Sequence, residues 1–246
     1  VLTAVTAAAF VLVERRVVEP ALPLRLFRNR TFLLASGISL VIGLALFGTI
    51  TYLPSMLQVI LGSSAIGAGL TVTTLMGGTI ITTILSGRLI TRTGAYKPYP
   101  ILGTGIAAVG VAGLAVVRTS YGVTGVIVAM VAIGLGVGLV MQVMLLVVQN
   151  SVGYADLGTA TSSVTFLRQI GASAGVAAAG TILTWRVDPR VPAADAFFDA
   201  MPVVFAMMVP LLIAAFILCV ALPARPLRTE AHVDSDGTPR RAAETP

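Results

Sequence analysis

One ionisable side chain, Arg168, stands in an otherwise uncharged, proline-free stretch that opens at Asp156 and Gly158 and runs to Trp185. At the α-helical rise its guanidinium lies about 15 Å beyond Gly158. Thr161, Thr165, Arg168, Ala172, Gly175 and Ala179 step by four and three and so share one helical face, small and polar. An arginine at hydrocarbon depth costs several kcal/mol unless it meets a protein interior or a water-filled cavity. Two chemistries fit it. Arg168, with Gln169 beside it, can line a cavity, pairing with a carboxylate or binding a substrate; or it can be structural, hydrogen-bonded to carbonyls of neighbouring helices. Gly171 and Gly175 form a GxxxG pair that suits close helix packing. A second face of this kind holds Gly134, Gly138, Gln142, Leu145 and Gln149. Its polar end faces an aqueous cavity or makes interhelical hydrogen bonds worth about 1 kcal/mol each. Gly134-Leu-Gly136-Val-Gly138 sits inside a hydrophobic run with no preceding strand, so it is no dinucleotide loop.

The elements that must position these residues follow from composition. Hydrophobic residues make up 57% of the chain and charged ones 11%, against about 25% charged in a soluble domain. The chain is therefore expected to cross a membrane many times. The net charge of +6 is dispersed over short segments between apolar runs, which argues against a nucleic-acid partner. The single cysteine, Cys219, excludes a disulfide framework and a cysteine metal site. No nucleophile–base pair, metal-ligand cluster or phosphate loop is present, so the sequence reads as no enzyme and calls for no cofactor. Fifteen arginines against one lysine, with abundant Ala, Gly, Val and Pro, fit a GC-rich bacterial genome.

In order, residues 1–13 read as the end of a truncated transmembrane helix, and the whole as the C-terminal part of a longer chain. Residues 14–30, with two prolines and five arginines, read as a cytoplasmic linker with a short amphipathic piece. Spans are expected at about 31–53, 65–86, 99–117, 123–148, 157–185 and 201–222, making 31–222 a six-helix transporter half. Residues 223–246 lack periodicity and read as a disordered tail. Twelve basic residues fall on the side of the linker (Arg15, Arg16, Arg25, Arg28, Arg30, Arg88, Arg92, Lys97, Arg225, Arg228, Arg240, Arg241) and three on the other (Arg118, Arg186, Arg190). That asymmetry makes the first side, tail included, cytoplasmic. A three-plus-three inverted repeat is not detectable in the sequence.

The segment from Gly87 to Lys97 reads as a basic loop between the second and third spans. Its Gly87, Leu89, Arg92, Gly94 and Lys97 resemble the signature loop of the major facilitator superfamily, Gly-x-Leu-x-Asp-Arg-x-Gly-x-x-Lys, with Thr91 in place of the acid. Glu14-Arg15-Arg16, Glu19-Pro20, Leu22-Pro23-Leu24 and Leu26-Phe27-Arg28 resemble the link entering the C-terminal half of the fourteen-helix drug:proton antiporters of the EmrB/QacA type. Val148-Gln149-Asn150, Asp156-x-Gly158, Ala160 and Phe166-x-Arg168-Gln169-x-Gly171 are similar to the fourth–fifth helix region of that family.

The resemblance implies an all-α membrane fold, the C-terminal six-helix bundle of the superfamily, in the bacterial cytoplasmic membrane. It further implies proton-driven export of amphiphilic or cationic drugs, with the missing N-terminal half of the same chain and a small-molecule substrate as partners besides the lipid bilayer. The first, second, fourth and fifth spans would wall the cavity, and Gly87, Arg92, Gly94 and Lys97 would gate it. All ten acidic residues read as loop or tail, and the only histidine, His232, lies in the tail. The coupling acid is therefore expected in the missing half. The same fold exporting an endogenous metabolite or a self-made antibiotic, and a non-transporting membrane scaffold or regulatory subunit, are the alternatives.

Overall fold

The computed structural model describes residues 25–62, 64–116, 122–186 and 193–223. The truncated helix, most of the linker, Arg118, Arg190 and the tail beyond 223 lie outside them. Six long helices carry the described chain: α1 (Arg30–Leu61), α2 (Ala65–Thr93), α3 (Pro98–Val116), α4 (Gly122–Ser151), α5 (Leu157–Arg186) and α6 (Ala193–Ala221), with short 3-10 turns at Leu26–Arg28 and Tyr154–Asp156. Among the described residues there is no strand. Each of the six is long and apolar enough to cross a membrane, and in hydrocarbon a helix is the form that satisfies every backbone group within one segment.

The helices outrun the apolar runs at several ends. α1 continues past Pro54 to Leu61, where Gly62 adopts φ 61° as a left-handed cap. α2 runs through Gly87, Arg88 and Arg92 to Thr93, so most of the expected basic loop is helix. The charges mark the edge of the hydrocarbon; the helix ends later, at Gly94, whose φ of 69° and N–H bond to the Ile90 carbonyl (2.8 Å) make the cap. The connection proper is only Gly94 to Lys97. α6 begins at Ala193, inside what reads as a loop. α1 starts at Arg30 with Asn29 as its N-cap, the Asn29 Oδ1 accepting from the Thr31 N–H at 3.0 Å.

Two parallel pairs, each sewn by glycine, form the frame. On α5, a Cβ at Gly171 or Gly175 would fall on the Leu40 or Leu44 carbonyl of α1; on α4, a Cβ at Gly134 or Gly138 would fall on the Leu75 or Thr79 carbonyl of α2. Gly136, between the latter two, turns the other way and packs against Gly103 of α3. The triple-glycine run of α4 therefore serves two helix seams at once. Thr79 and Thr83 of α2 direct their hydroxyls at the Gly134 and Gly138 carbonyls (3.1 and 3.4 Å). Other threonines of α2 donate to their own helix, as Thr71 does to Gly67 and Thr82 to Gly78 (both 2.9 Å), leaving a threonine-rich helix few unmet polar groups.

α1 packs on α5 and α6, α4 on α2 and α3, α1 on α4, and α3 on α6. Exchanging α1 with α4, α2 with α5 and α3 with α6 maps this pattern onto itself, apart from the α5–α6 contact, so the inverted repeat is present in the packing. More than half of the spanning part of α1 and of α4 is buried (56%), against 22% for α2 and α5. The first two are the core and the last two its flanks.

One end of the bundle is tied by polar contacts. Arg25 pairs with Asp156, the Asn29 side chain donates to the Ser151 carbonyl (2.8 Å), and the Tyr96 hydroxyl donates to the Pro223 carbonyl (2.9 Å). Leu26 is buried there, and Phe27 meets Phe32 edge-to-face at 5.2 Å. This end carries Arg25, Arg28, Arg30, Arg88, Arg92 and Lys97 and is the basic end of the bundle. Tyr96 is 2% exposed; Tyr96→Phe is expected to cost about 1 kcal/mol, read as a lowered thermal midpoint of the purified protein. Arg25→Gln removes a pair whose arginine is mostly exposed and is expected to shift the same midpoint by less than about 1 kcal/mol.

Candidate functional site

The polar face of α5 divides in two. From Ala172 upward it is seam: Ala172, Gly175 and Ala179 are buried, the two glycines of the GxxxG pair lying against α1. Toward the basic end it opens, and Thr161, Thr165 and Arg168 are all half-buried. Gly43 of α1 sits so close to the Arg168 carbonyl that a Cβ there would overlap it. The backbone at Arg168 is thereby pinned while its side chain, tilted toward the helix N-terminus, is left in the open half.

That side chain borders a narrow cleft between three helices. α1 contributes Ser39 and Ile42; α4 contributes Val140, Met141, Met144 and Leu145; α5 contributes Val164, Thr165 and Arg168. Its water-sized free space is about 10 Å³, room for a single oxygen atom or one water. The Ser39 hydroxyl donates to the Ala35 carbonyl (2.8 Å), leaving its lone pairs for an incoming donor. Arg168 makes no hydrogen bond or ion pair with any described residue. The structural reading, a guanidinium spent on neighbouring carbonyls, finds no such bond among them.

Gln169, one residue on and about 100° around the helix, opens elsewhere. It lines a wide groove of about 580 Å³ with Phe47, Tyr52, Ala172, Ser173, Val176 and others. The Tyr52 hydroxyl donates to the Val176 carbonyl at 3.2 Å and stands over Gly180, fixing the ring along the groove. Cleft and groove meet at consecutive residues of α5, the first on the side of the basic end and the second beyond it.

The other sequence candidates distribute as follows. Leu145 lines the cleft, whereas Gln142 and Gln149 are exposed and lie outside its lining. The face they share with Gly134 and Gly138 is divided as α5 is: the glycines are buried against α2 and the glutamines are open. Arg92 is exposed on the last turns of α2, Gly87 has nothing within 4 Å of a built Cβ, Gly94 is the cap, and Lys97 is half-buried in the short connection. Ser39, Met141, Met144, Phe47 and Tyr52 border the two spaces and carry no sequence signal. They reach Arg168 and Gln169 only through packing of helices distant in the chain. Among the described residues no cluster of His, Cys, Asp or Glu could hold a metal ion.

Comparison with known proteins agrees with this architecture. The profile of the Major Facilitator Superfamily matches residues 2–176. The chain is 32% identical to an uncharacterized MFS-type transporter of Mycobacterium tuberculosis, over 99% of its own length and 40% of that protein's. It is 35% identical to a multidrug transporter protein of Bacillus subtilis (79% and 36% of the two lengths) and 36% identical to a tetracycline resistance determinant of Streptomyces rimosus (69% and 49%). It thus spans less than half the length of these relatives. A profile match over most of the chain makes this chain a member of the major facilitator superfamily, and its six long apolar helices fit a multi-pass membrane protein.

Proposed function

We propose that the chain is the C-terminal half of a proton-coupled exporter of amphiphilic small molecules, lying in a bacterial cytoplasmic membrane with its basic end and C-terminus in the cytoplasm. The observation that carries this reading is the cleft at Arg168. A cation inside a span-length apolar helix, beside a cleft and with no partner among the described residues, is what a substrate pathway requires and what a scaffold would avoid. The sparse burial of α2 and α5 supports a preceding half that covers them and completes the wall begun by α1, α2, α4 and α5. Asp156 and Asp199 line neither space, which supports placing the proton-carrying acid in that half. The relatives named for multidrug transport and tetracycline resistance support export of drug-like molecules.

The test uses the full-length natural protein in proteoliposomes with an imposed pH gradient. Substrate addition is expected to dissipate the gradient, and substrate accumulation to stop when a protonophore is added. Accumulation indifferent to the protonophore would remove proton coupling, and no movement of any amphiphile would remove the transport reading. Orientation is read separately: a fluorescent protein fused after Pro246 is expected to fluoresce, whereas a periplasmic phosphatase fused there is expected to stay inactive.

A further inference from the structure

Of the two spaces that meet on α5, the cleft is bordered by one charged side chain, Arg168, and the groove by none. The carboxylates among the described side chains are Asp156 and Asp199. Asp156 is spent on Arg25 at the basic end, and Asp199 stands near the start of α6 at the opposite end. The formal charge bordering these two spaces is therefore positive. A cationic ligand would be repelled at the cleft, and an anionic oxygen would meet a guanidinium that has no partner among the described residues. The dimensions fit that division of labour. The cleft admits one oxygen atom, while the groove of about 580 Å³ falls in the range of small-molecule sites and offers Phe47 and Tyr52 to an apolar body, with Gln169 and Ser173 as polar handles.

We propose that the molecules handled by this half are organic anions: amphiphiles that place a carboxylate, phenolate or enolate oxygen on Arg168 and lay an aromatic or aliphatic body in the groove against Phe47 and Tyr52. This rests on the transport reading above and departs from the cationic drugs that the family resemblance alone implies. The anion neutralises Arg168 without the acid that the described residues do not supply, so the site is occupied at least cost by a ligand of opposite sign.

The experiment measures equilibrium binding to the purified full-length protein of three probes sharing one naphthalene body: the carboxylate, the neutral carboxamide and the trimethylammonium. Wild type is expected to bind the carboxylate about tenfold or more tightly than the other two. Arg168→Gln is expected to abolish that preference by weakening carboxylate binding far more than binding of the other two probes, and Arg168→Lys to keep part of it. A thermal midpoint close to that of wild type establishes that each variant is folded. The proposal is overturned if the trimethylammonium probe binds best, if Arg168→Gln weakens all three probes equally, or if wild type binds none. Whether the transport reading stands in that last case is decided independently by the gradient-driven uptake described above.

Discussion

Gly175→Val is expected to prevent the bundle from assembling, with little monodisperse protein recovered from detergent. A Cβ at Gly175 would lie on the Leu44 carbonyl, backbone against backbone, with no flexible side chain to yield. The neighbouring contacts allow no relief by tilting: Gly171 meets Leu40 one turn below, and Gly48 of α1 meets the Gly175 carbonyl from the other side. Overpacking costs about 1–3 kcal/mol where side chains can adjust, and here two helices must separate along several turns. Gly158→Ala is the control, since a Cβ there meets nothing within 4 Å. Its recovery and thermal midpoint are expected to match wild type. Equal recovery of the two variants would mean that the α1–α5 seam does not form as described.

The second large effect is expected at Arg168, and its sign separates the two chemistries open to that residue. A structural arginine gives up hydrogen bonds when replaced, so stability falls. A cation without a partner among the described residues, held at membrane depth, gives up a desolvation cost instead. Arg168→Met, similar in length and apolar, is therefore expected to raise stability by about 1–2 kcal/mol, the full cost of a midplane arginine being discounted because the side chain is only half-buried. The same variant is expected to lower export by about tenfold or more. Stability is read from thermal unfolding of the purified full-length protein and export from proteoliposomes. A fall in both together would return Arg168 to a structural role.

Much of this architecture is written in the residues. Six apolar runs, their alternating basic flanks and one arginine inside the fifth lead directly to six helices and to a cavity residue. What sequence does not mark is where a helix stops. Charge reports the membrane boundary, and the backbone coils on until a residue such as Gly62 or Gly94 turns it, which is why Gly87 and Arg92 read as loop and fold as helix. Nor does it mark which part of a face is used. Arg168 and Gly175 share a stripe, yet the upper half is consumed in packing and only the lower half opens. Gln142 and Gln169 lie near the right positions along their helices but point away from the cleft by a fraction of a turn. The inverted repeat escapes detection because its glycine pairs fall on non-equivalent helices, on α5 in the α1–α5 seam and on α4 in the α2–α4 seam, so equivalent seams are built from different residues.

Accessibility of the cleft tests the central claim most directly. Cys219 is buried in α6 and contributes little background, so cysteines can be placed one at a time at Thr165 and at Ala179 in a full-length protein whose remaining accessible cysteines have been replaced by serine. These variants are treated with a membrane-impermeant thiol reagent from the side of the basic end. Thr165→Cys is expected to be modified, and to be protected when substrate is bound, whereas Ala179→Cys, in the seam, is expected to resist. Labelling of both positions alike, or of neither, or labelling at Thr165 that substrate leaves unchanged, would contradict a substrate pathway that passes Arg168.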